Sequence, residues 1–383
     1  MTAMPIRAAL ARAFGEPLRI ETVLLDPPGP GQVAVTLRAV AVCHSDIGFV
    51  DGIWGGHLPA VYGHEAAGRV RALGAGVTGL AVGQDVIVTL IRQCGTCPAC
   101  RDAAPVHCET PYDRRTGPLH LADGTVVEHG LNCGAFAEAV VVDASQVIPV
   151  PEDLPPEAAC LLACGVITGV GAAVHSARVR PGETVVVIGA GGVGLNAIQG
   201  ARIAGAARVI ALDLSEAKRA DALAFGATHA LDAGDPRPWK AVQALTDGRG
   251  ADAVLVCTGA IAAHQVAARL AARRGRIVAV GMPPSGATVA VEPVILAALG
   301  QSLTGSLMGD VVPHRDIPWL IDLWRQGRLQ LEPLVTGRWP LEAINEAIAE
   351  TRAGRARRSV IVLDQTENSQ TVAGTAPSAP IAR

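Results

Sequence analysis

Aromatic side chains are scarce in this chain: two Tyr, four Phe and five Trp account for 3% of its 383 residues. Any pocket is therefore shaped with little aromatic surface. Charge of one sign is missing too, since 32 Lys and Arg stand against 35 Asp and Glu for a formal net charge of −3. That balance gives no electrostatic reason to expect a nucleic acid or an anionic membrane as partner. No apolar run approaches the length of a membrane span, and the N-terminal MTAMPIRAALARAF lacks the longer apolar stretch of a secretory signal. These absences predict a cytoplasmic protein. In a reducing compartment nine cysteines are poor candidates for disulfides, so where they cluster they point to metal or redox chemistry.

What is present suits a globular α/β protein. Half the residues are apolar and 43 are glycine, as expected for many tight strand-to-helix turns, and the length allows two domains. From Ile6 to about Val150, short β-rich runs such as Gln32 to Val42 and Asp85 to Leu90 are broken by Gly and Pro, which predicts an irregular mostly-β domain. Pro151 to Gly171 has helical spacing after a Pro-rich entry and predicts a linker helix. From Thr184 the apolar runs TVVVIG, RVIALD, ADAVLVC and GRIVAVG alternate with helix-like stretches. That alternation predicts a parallel sheet covered on both faces, a doubly wound fold. The run SVIVL, near the C-terminus, is expected to return to the first domain, and the polar tail after Asp364 is expected to be disordered.

Cys94, Cys97, Cys100 and Cys108 follow C-x2-C-x2-C-x7-C, placing four thiols in one short lobe. Four thiolates at closed tetrahedral geometry suit a structural Zn²⁺, with two disulfides or an iron–sulfur cluster as the alternatives. His107 adjoins the fourth thiol and reads as a surface residue. Gly189, Gly191 and Gly194 form G-x-G-x-x-G, with Gly192 and Val193 inside it, directly after a strand-like run and before a helix-like one. Such a turn brings backbone amides and a helix N-terminus to a pyrophosphate. Asp213 ends the next strand-like run, nineteen residues past the last glycine, where an acid can bind both ribose hydroxyls and repel a 2′-phosphate. NAD is favoured over NADP. Lys218 lies where it can approach the adenosine ribose or simply be solvated on a helix. A glycine-rich turn without a ligand is the competing reading.

Three further segments, VCHSD around Cys43, GHEAAG around His64 and CLLACGVITGVG around Cys164, join the lobe and the turn in one order along the chain. Together they resemble the zinc-dependent medium-chain alcohol dehydrogenases, from about Arg7 to Leu363. The resemblance implies a GroES-like catalytic domain, residues 1–165 and 308–365, with a Rossmann NAD-binding domain, 166–307, inserted and a tail at 366–383. It implies two Zn²⁺ and one NAD per chain, and a homodimer or homotetramer built through the coenzyme domains.

Carried over by position, Cys43, His64 and Cys164 match the catalytic zinc ligands. Three protein ligands leave a fourth position for water or a substrate oxygen. Without that context they read as two buried thiols and a core histidine. Asp46 matches the carboxylate that orients His64, and Glu65 the one behind the metal. Ser45 matches the hydroxyl that takes the alcohol proton, although it could also cap a helix starting near Asp46. His44 and Arg358 match contacts to the pyrophosphate, while Arg355, Arg357 and Arg358 also read as a solvated basic run. Thr168 and Val193 match positions near the nicotinamide, and Val280 joins the coenzyme-binding set.

Two positions depart from the family. Gly48 stands where members often carry a histidine three residues past the relay serine, so the proton route must end in water or another base, with His57 nearby in sequence. Leu90 stands where a pocket aromatic is familiar. The reaction expected is hydride transfer between a primary, possibly aromatic, alcohol or its aldehyde and NAD. Segment 111–134 and GDVVPHRDIP are also similar to the mycothiol-type formaldehyde dehydrogenases, whose thiol adduct is chemically a primary alcohol, with Arg114 and Arg115 as charges for such a carrier. A protein that binds zinc and NAD without turnover is the reading from a different class.

Overall fold

The computed structural model describes residues 2–111 and 116–363. Arg114, Arg115 and the 366–383 tail lie outside the described residues. Among those described, three sheets organise the chain. A small closed barrel joins Met4–Ala11, Arg19–Leu25, Leu119–His120, Val126–His129 and Ala60–Val61. Beside it runs a mostly antiparallel sheet whose centre is Gln32–Ala41, flanked by Glu65–Leu73 and Arg358–Val362. The SVIVL run thus does return to the N-terminal part, with Ile361 opposite Val40.

The third sheet is parallel throughout. Its strands, His229–Asp232, Arg208–Asp213, Thr184–Ile188, Ala251–Val256, Ala271–Ala279 and Ser302–Gly305, have the order 3-2-1-4-5-6, the arrangement of a Rossmann-type dinucleotide fold. Thr184–Ile188 is buried along its whole length, which is why it carries no alternation: a central parallel strand is covered on both faces and selects β-branched residues. The Gly-rich turn follows at its C-terminal end, beside the point where strand order reverses, the position where open α/β sheets bind ligands.

The linker is not the single helix that periodicity predicts. Pro156–Ala159 and a tighter turn Cys160–Ala163 are followed by Gly165–Gly171 and a π-helical turn Ala172–Ser176, with a 51° bend between the two halves. The break is Cys164, at φ −147° and ψ −69°. Non-helical dihedrals there interrupt the ladder and turn one side chain out of the helical path. Leu161, Leu162, Val166, Ile167 and Val170 are buried between the two large sheets, each worth about 1.5–3 kcal/mol relative to exposure. No single helix among the described residues is long and apolar enough to cross a membrane.

Candidate active site

Three element ends bring Cys43, His64 and Cys164 together. Cys43 follows the strand Gln32–Ala41 and precedes the helix His44–Val50, His64 enters the strand Glu65–Leu73, and Cys164 sits at the helix break. With Glu65, their ligand atoms all lie within 4.8 Å of one another, in a fully buried cluster. Asp46 organises it. One carboxylate oxygen accepts the Cys43 amide at 3.0 Å, and the other accepts the Gly63 amide at 3.0 Å and His64 Nδ1 at 2.8 Å. That bond leaves His64 Nε2 buried and without a hydrogen-bond partner among the described residues. A buried orphan nitrogen is costly unless something binds it, and a neutral imidazole fixed through Nδ1 offers Nε2 to a metal. The helix starts at His44, so Ser45 is not its cap; the cap position is Cys43. Ser45 is half-buried beside the cluster, and His44 is exposed.

The electrostatics suit a cation. The hydrogen bond between the two thiols holds Cys43 well below its ordinary pKa and pushes Cys164 up. Burial works against protonation of His64, but Asp46 outweighs it and raises its pKa. Burial also pushes Glu65 up to about 8, against the pull of Arg358. A divalent ion satisfies the orphan nitrogen and both sulfurs at once.

In the second cluster, Cys94 Sγ and Cys100 Sγ are 3.9 Å apart, against about 3.8 Å for two thiolates bound tetrahedrally at a Zn–S distance of about 2.3 Å. Backbone amides point at the sulfurs: Cys97 N at Cys94 Sγ, 3.3 Å, and Glu109 N at Cys97 Sγ, 3.4 Å. Hydrogen bonds from Thr110, Thr96 and Cys97 bring the Cys94 thiol down to about 5, whereas burial pushes Cys100 up to about 12. All nine cysteines are free of disulfides. His107 is exposed, as expected, and its Nε2 lies 3.2 Å from Asp310 Oδ1.

At the dinucleotide turn, Gly189 has φ +90°, a left-handed value, and a Cβ on Gly194 would lie 1.8 Å from the Gly189 carbonyl oxygen. A Cβ on Gly191 meets no protein atom within 4 Å. The helix Gly192–Ile203 starts there. Asp213 holds the turn in place, accepting the Ala190 amide at 2.8 Å and the Ser215 amide at 2.9 Å. Lys218 is half-buried, and Val280 directly follows the strand Ala271–Ala279, its amide bonded to Val256 O. Thr168 is buried near Met308 Sδ, and the Val193 carbonyl packs against Gly169.

The basic run 355–358 divides. Arg355 pairs with Glu350 at the surface, and Arg357 pairs with Asp221 over the Phe225 ring. Arg358 is only 5% exposed and donates to Glu65 at 3.3 Å. Its guanidinium covers the start of the turn helix, where a Cβ on Gly192 would lie 2.5 Å from Nε. Nε and Nη2 are buried without partners among the described residues, donors of the kind that a pyrophosphate satisfies.

Gly48 has a physical reason. A Cβ there would lie 2.6 Å from the Trp54 ring, which meets Phe49 edge-on at 5.3 Å. Phe49, Trp54 and Tyr62 gather at the helix that carries Ser45. His57 is exposed, and its backbone amide is bonded to Glu128. A cavity of about 150 Å³ is lined by Cys108 of the four-cysteine lobe together with Leu90, Val106, Asn132, Leu307 and Met308 among others. Met308, which the sequence did not mark, forms its inner wall, with Sδ 3.8 Å from Cys164 Sγ. The sequence signal next to it was the GDVVPHRDIP stretch that begins at Gly309.

A parallel 3-2-1-4-5-6 sheet with this turn, set beside a β-rich part carrying two metal-ligand clusters, defines a zinc-binding dehydrogenase with a GroES-like domain. Comparison with known proteins agrees: the alcohol dehydrogenase GroES-like domain matches residues 29–152, and the zinc-binding dehydrogenase domain matches 192–326. The NDMA-dependent alcohol dehydrogenase of Amycolatopsis methanolica is 35% identical, over 94% of this chain and 99% of its own. Similar solved structures include an alcohol dehydrogenase zinc-binding domain protein from Burkholderia ambifaria (TM-score 0.90, 34% identity) and benzyl alcohol dehydrogenase from Acinetobacter calcoaceticus (TM-score 0.88, 29% identity). Each aligns over 94% of this chain and 100% of its own. The chain belongs to the zinc-dependent alcohol dehydrogenase family.

Proposed function

We propose that this chain oxidises compact primary alcohols, aromatic ones included, to aldehydes with NAD. The observation that carries this reading is the buried Cys43–His64–Cys164 cluster, with an orphan His64 Nε2 and Asp46 fixing the other ring nitrogen. A zinc ion held by these three residues would supply Lewis acidity to the alcohol oxygen. Ser45 takes the alcohol proton as hydride leaves, and Asp46 keeps His64 in the ligating tautomer. Arg358 donates to Glu65 behind the cluster, and Arg358 and His44 would receive the pyrophosphate of NAD at the Gly189–Gly194 turn. Thr168, Val193 and Val280 shape the nicotinamide site, and Asp213, with Lys218 beside it, holds the ribose. With Trp54 packed over Gly48, no side chain stands at that position to receive the proton from Ser45, and its acceptor would be water. Cys94, Cys97, Cys100 and Cys108 hold a second, structural zinc.

The apolar side chains Leu90, Val106, Leu307 and Met308 in the lining of the neighbouring cavity favour a free alcohol. The test is NADH formation at 340 nm across an alcohol panel, with and without glutathione or mycothiol plus formaldehyde. Turnover of benzyl alcohol without thiol is expected, and turnover only with thiol would transfer the assignment to the adduct. Replacing Asp213 with serine should relax coenzyme choice, since the carboxylate that repels a 2′-phosphate is gone. Its kcat/KM ratio for NAD over NADP is expected to fall about tenfold or more, a loss of about 1.4 kcal/mol of discrimination; an unchanged ratio would remove Asp213 from the ribose site.

We infer the domain division 1–165 with 308–365 around 166–307, and a homodimer or tetramer through the coenzyme domains. The strand Ser302–Gly305 is exposed at the sheet edge, with Leu303 and nearby Val294 and Ile295 in solvent. An open apolar edge suits pairing with a second copy across a two-fold axis. Nine free thiols fit a reducing cytoplasm.

A further inference from the structure

The chain passes between the antiparallel and parallel sheets along two segments, the bent helices 156–176 and the return through 306–312. They cross glycine on glycine. A Cβ on Gly171 would lie 2.5 Å from Gly309 O, and one on Gly309 would lie 2.6 Å from Ile167 O. Met308, Gly309 and Asp310 all have positive φ, at 50°, 72° and 52°. For Met308 in particular this is an unfavourable backbone state, kept only where surrounding contacts fix it.

Those contacts converge on Asp310. Its Oδ2 accepts Ser176 Oγ at 2.6 Å, Ser176 Oγ lies 2.7 Å from Ser306 Oγ, and its Oδ1 lies 3.2 Å from Nε2 of His107, next to Cys108. One carboxylate thereby ties together the π-helical turn, the end of the outer parallel strand and the four-cysteine lobe. Two residues earlier, Met308 packs on Cys164 Sγ at 3.8 Å and on Thr168 Oγ1 at 3.6 Å, and walls the cavity.

We propose that Asp310 is a positioning residue for alcohol binding: through Ser176 and His107 it holds the Met308 turn against Cys164 and so sets the inner wall of the cavity. It touches neither substrate nor ligand atoms. The proposal rests on the alcohol dehydrogenase reading only for its kinetic arm. Ser45, Cys43 and His64 belong to other elements, so loss of the carboxylate loosens the wall without removing the chemistry.

The test uses the zinc-loaded enzyme with NAD and benzyl alcohol, in the variants Asp310→Gly and Asp310→Asn. Glycine accepts φ +52° without strain and removes every side-chain bond. Asparagine tolerates the same backbone and keeps an acceptor. Asp310→Gly is expected to raise KM for the alcohol about fivefold, the size of a charge-assisted hydrogen bond discounted for partial exposure. Expected alongside are a kcat within twofold of the parent, unchanged zinc content, and recovery of most of the KM by Asp310→Asn. Amides 306–311 should exchange hydrogen faster in Asp310→Gly, whatever the substrate. An unchanged KM in an active enzyme, loss of zinc with the KM effect, or unchanged exchange would each overturn the proposal. Parent enzyme without turnover but with the exchange change would overturn the functional reading and leave Asp310 as the clamp of this turn.

Discussion

Cys43→Ala is expected to abolish alcohol oxidation while keeping most of the fold and one of two bound zinc ions. The side chain is 7% exposed and lies against Cys164 and His64. Alanine removes a sulfur and adds no volume, so the site loses a ligand without a clash. His64 keeps its bond to Asp46, and the four-cysteine lobe is untouched, since its ligands come from a separate stretch of chain. Losing Lewis acidity worth several kcal/mol should lower kcat/KM by about 10³-fold or more. Metal analysis should fall from about two zinc ions per chain to about one, with the far-ultraviolet circular dichroism unchanged. Parental turnover in this variant would exclude Cys43 as a ligand.

The second large effect separates two glycines of one motif. Gly194→Ala places a methyl 1.8 Å from the Gly189 carbonyl, backbone against backbone. The helix Gly192–Ile203 must move off its strand, with about 1–3 kcal/mol or more of stability lost to overpacking, and its N-terminus no longer aims at the pyrophosphate. Thermal stability and NADH affinity should therefore fall together. Gly191→Ala meets no protein atom within 4 Å, and its φ of −77° suits alanine. It should leave the melting temperature unchanged and raise the NADH dissociation constant about tenfold or more, or about 1.4 kcal/mol, because the methyl enters space that the coenzyme needs. Equal melting temperatures for both variants, or unaltered binding by Gly191→Ala, would contradict these roles.

What the sequence made legible was local. The four-cysteine lobe follows from spacing within fifteen residues, and the Gly-rich turn from a strand, a turn and a helix in succession. The parallel sheet followed from alternation of its apolar runs, because strands covered on both faces leave unbroken β-branched stretches. Cys43, His64 and Cys164 were readable only through likeness to a family, since nothing in the spacing of residues so far apart marks a shared site. Periodicity also missed the break at Cys164, where the helical pattern of apolar residues continues on both sides although the backbone does not. The burial of Arg358 was hidden inside a basic run, and its partner Glu65 lies 293 residues away. Asp310 lay inside the marked GDVVPHRDIP stretch, but its structural role was hidden because its bonds reach two segments remote in sequence, at Ser176 and His107.

That separation of Glu65 and Arg358 fixes an order of assembly during synthesis. On the ribosome, all four lobe thiols emerge within a few residues of one another and can grip an ion at once. Glu65 leaves the exit tunnel early but meets its guanidinium only after the entire parallel sheet has been translated. Until then Glu65 lacks the cation that it meets in the folded chain. The nascent chain therefore carries a finished lobe and an unfinished centre, and the late strand Arg358–Val362 is the piece that closes it.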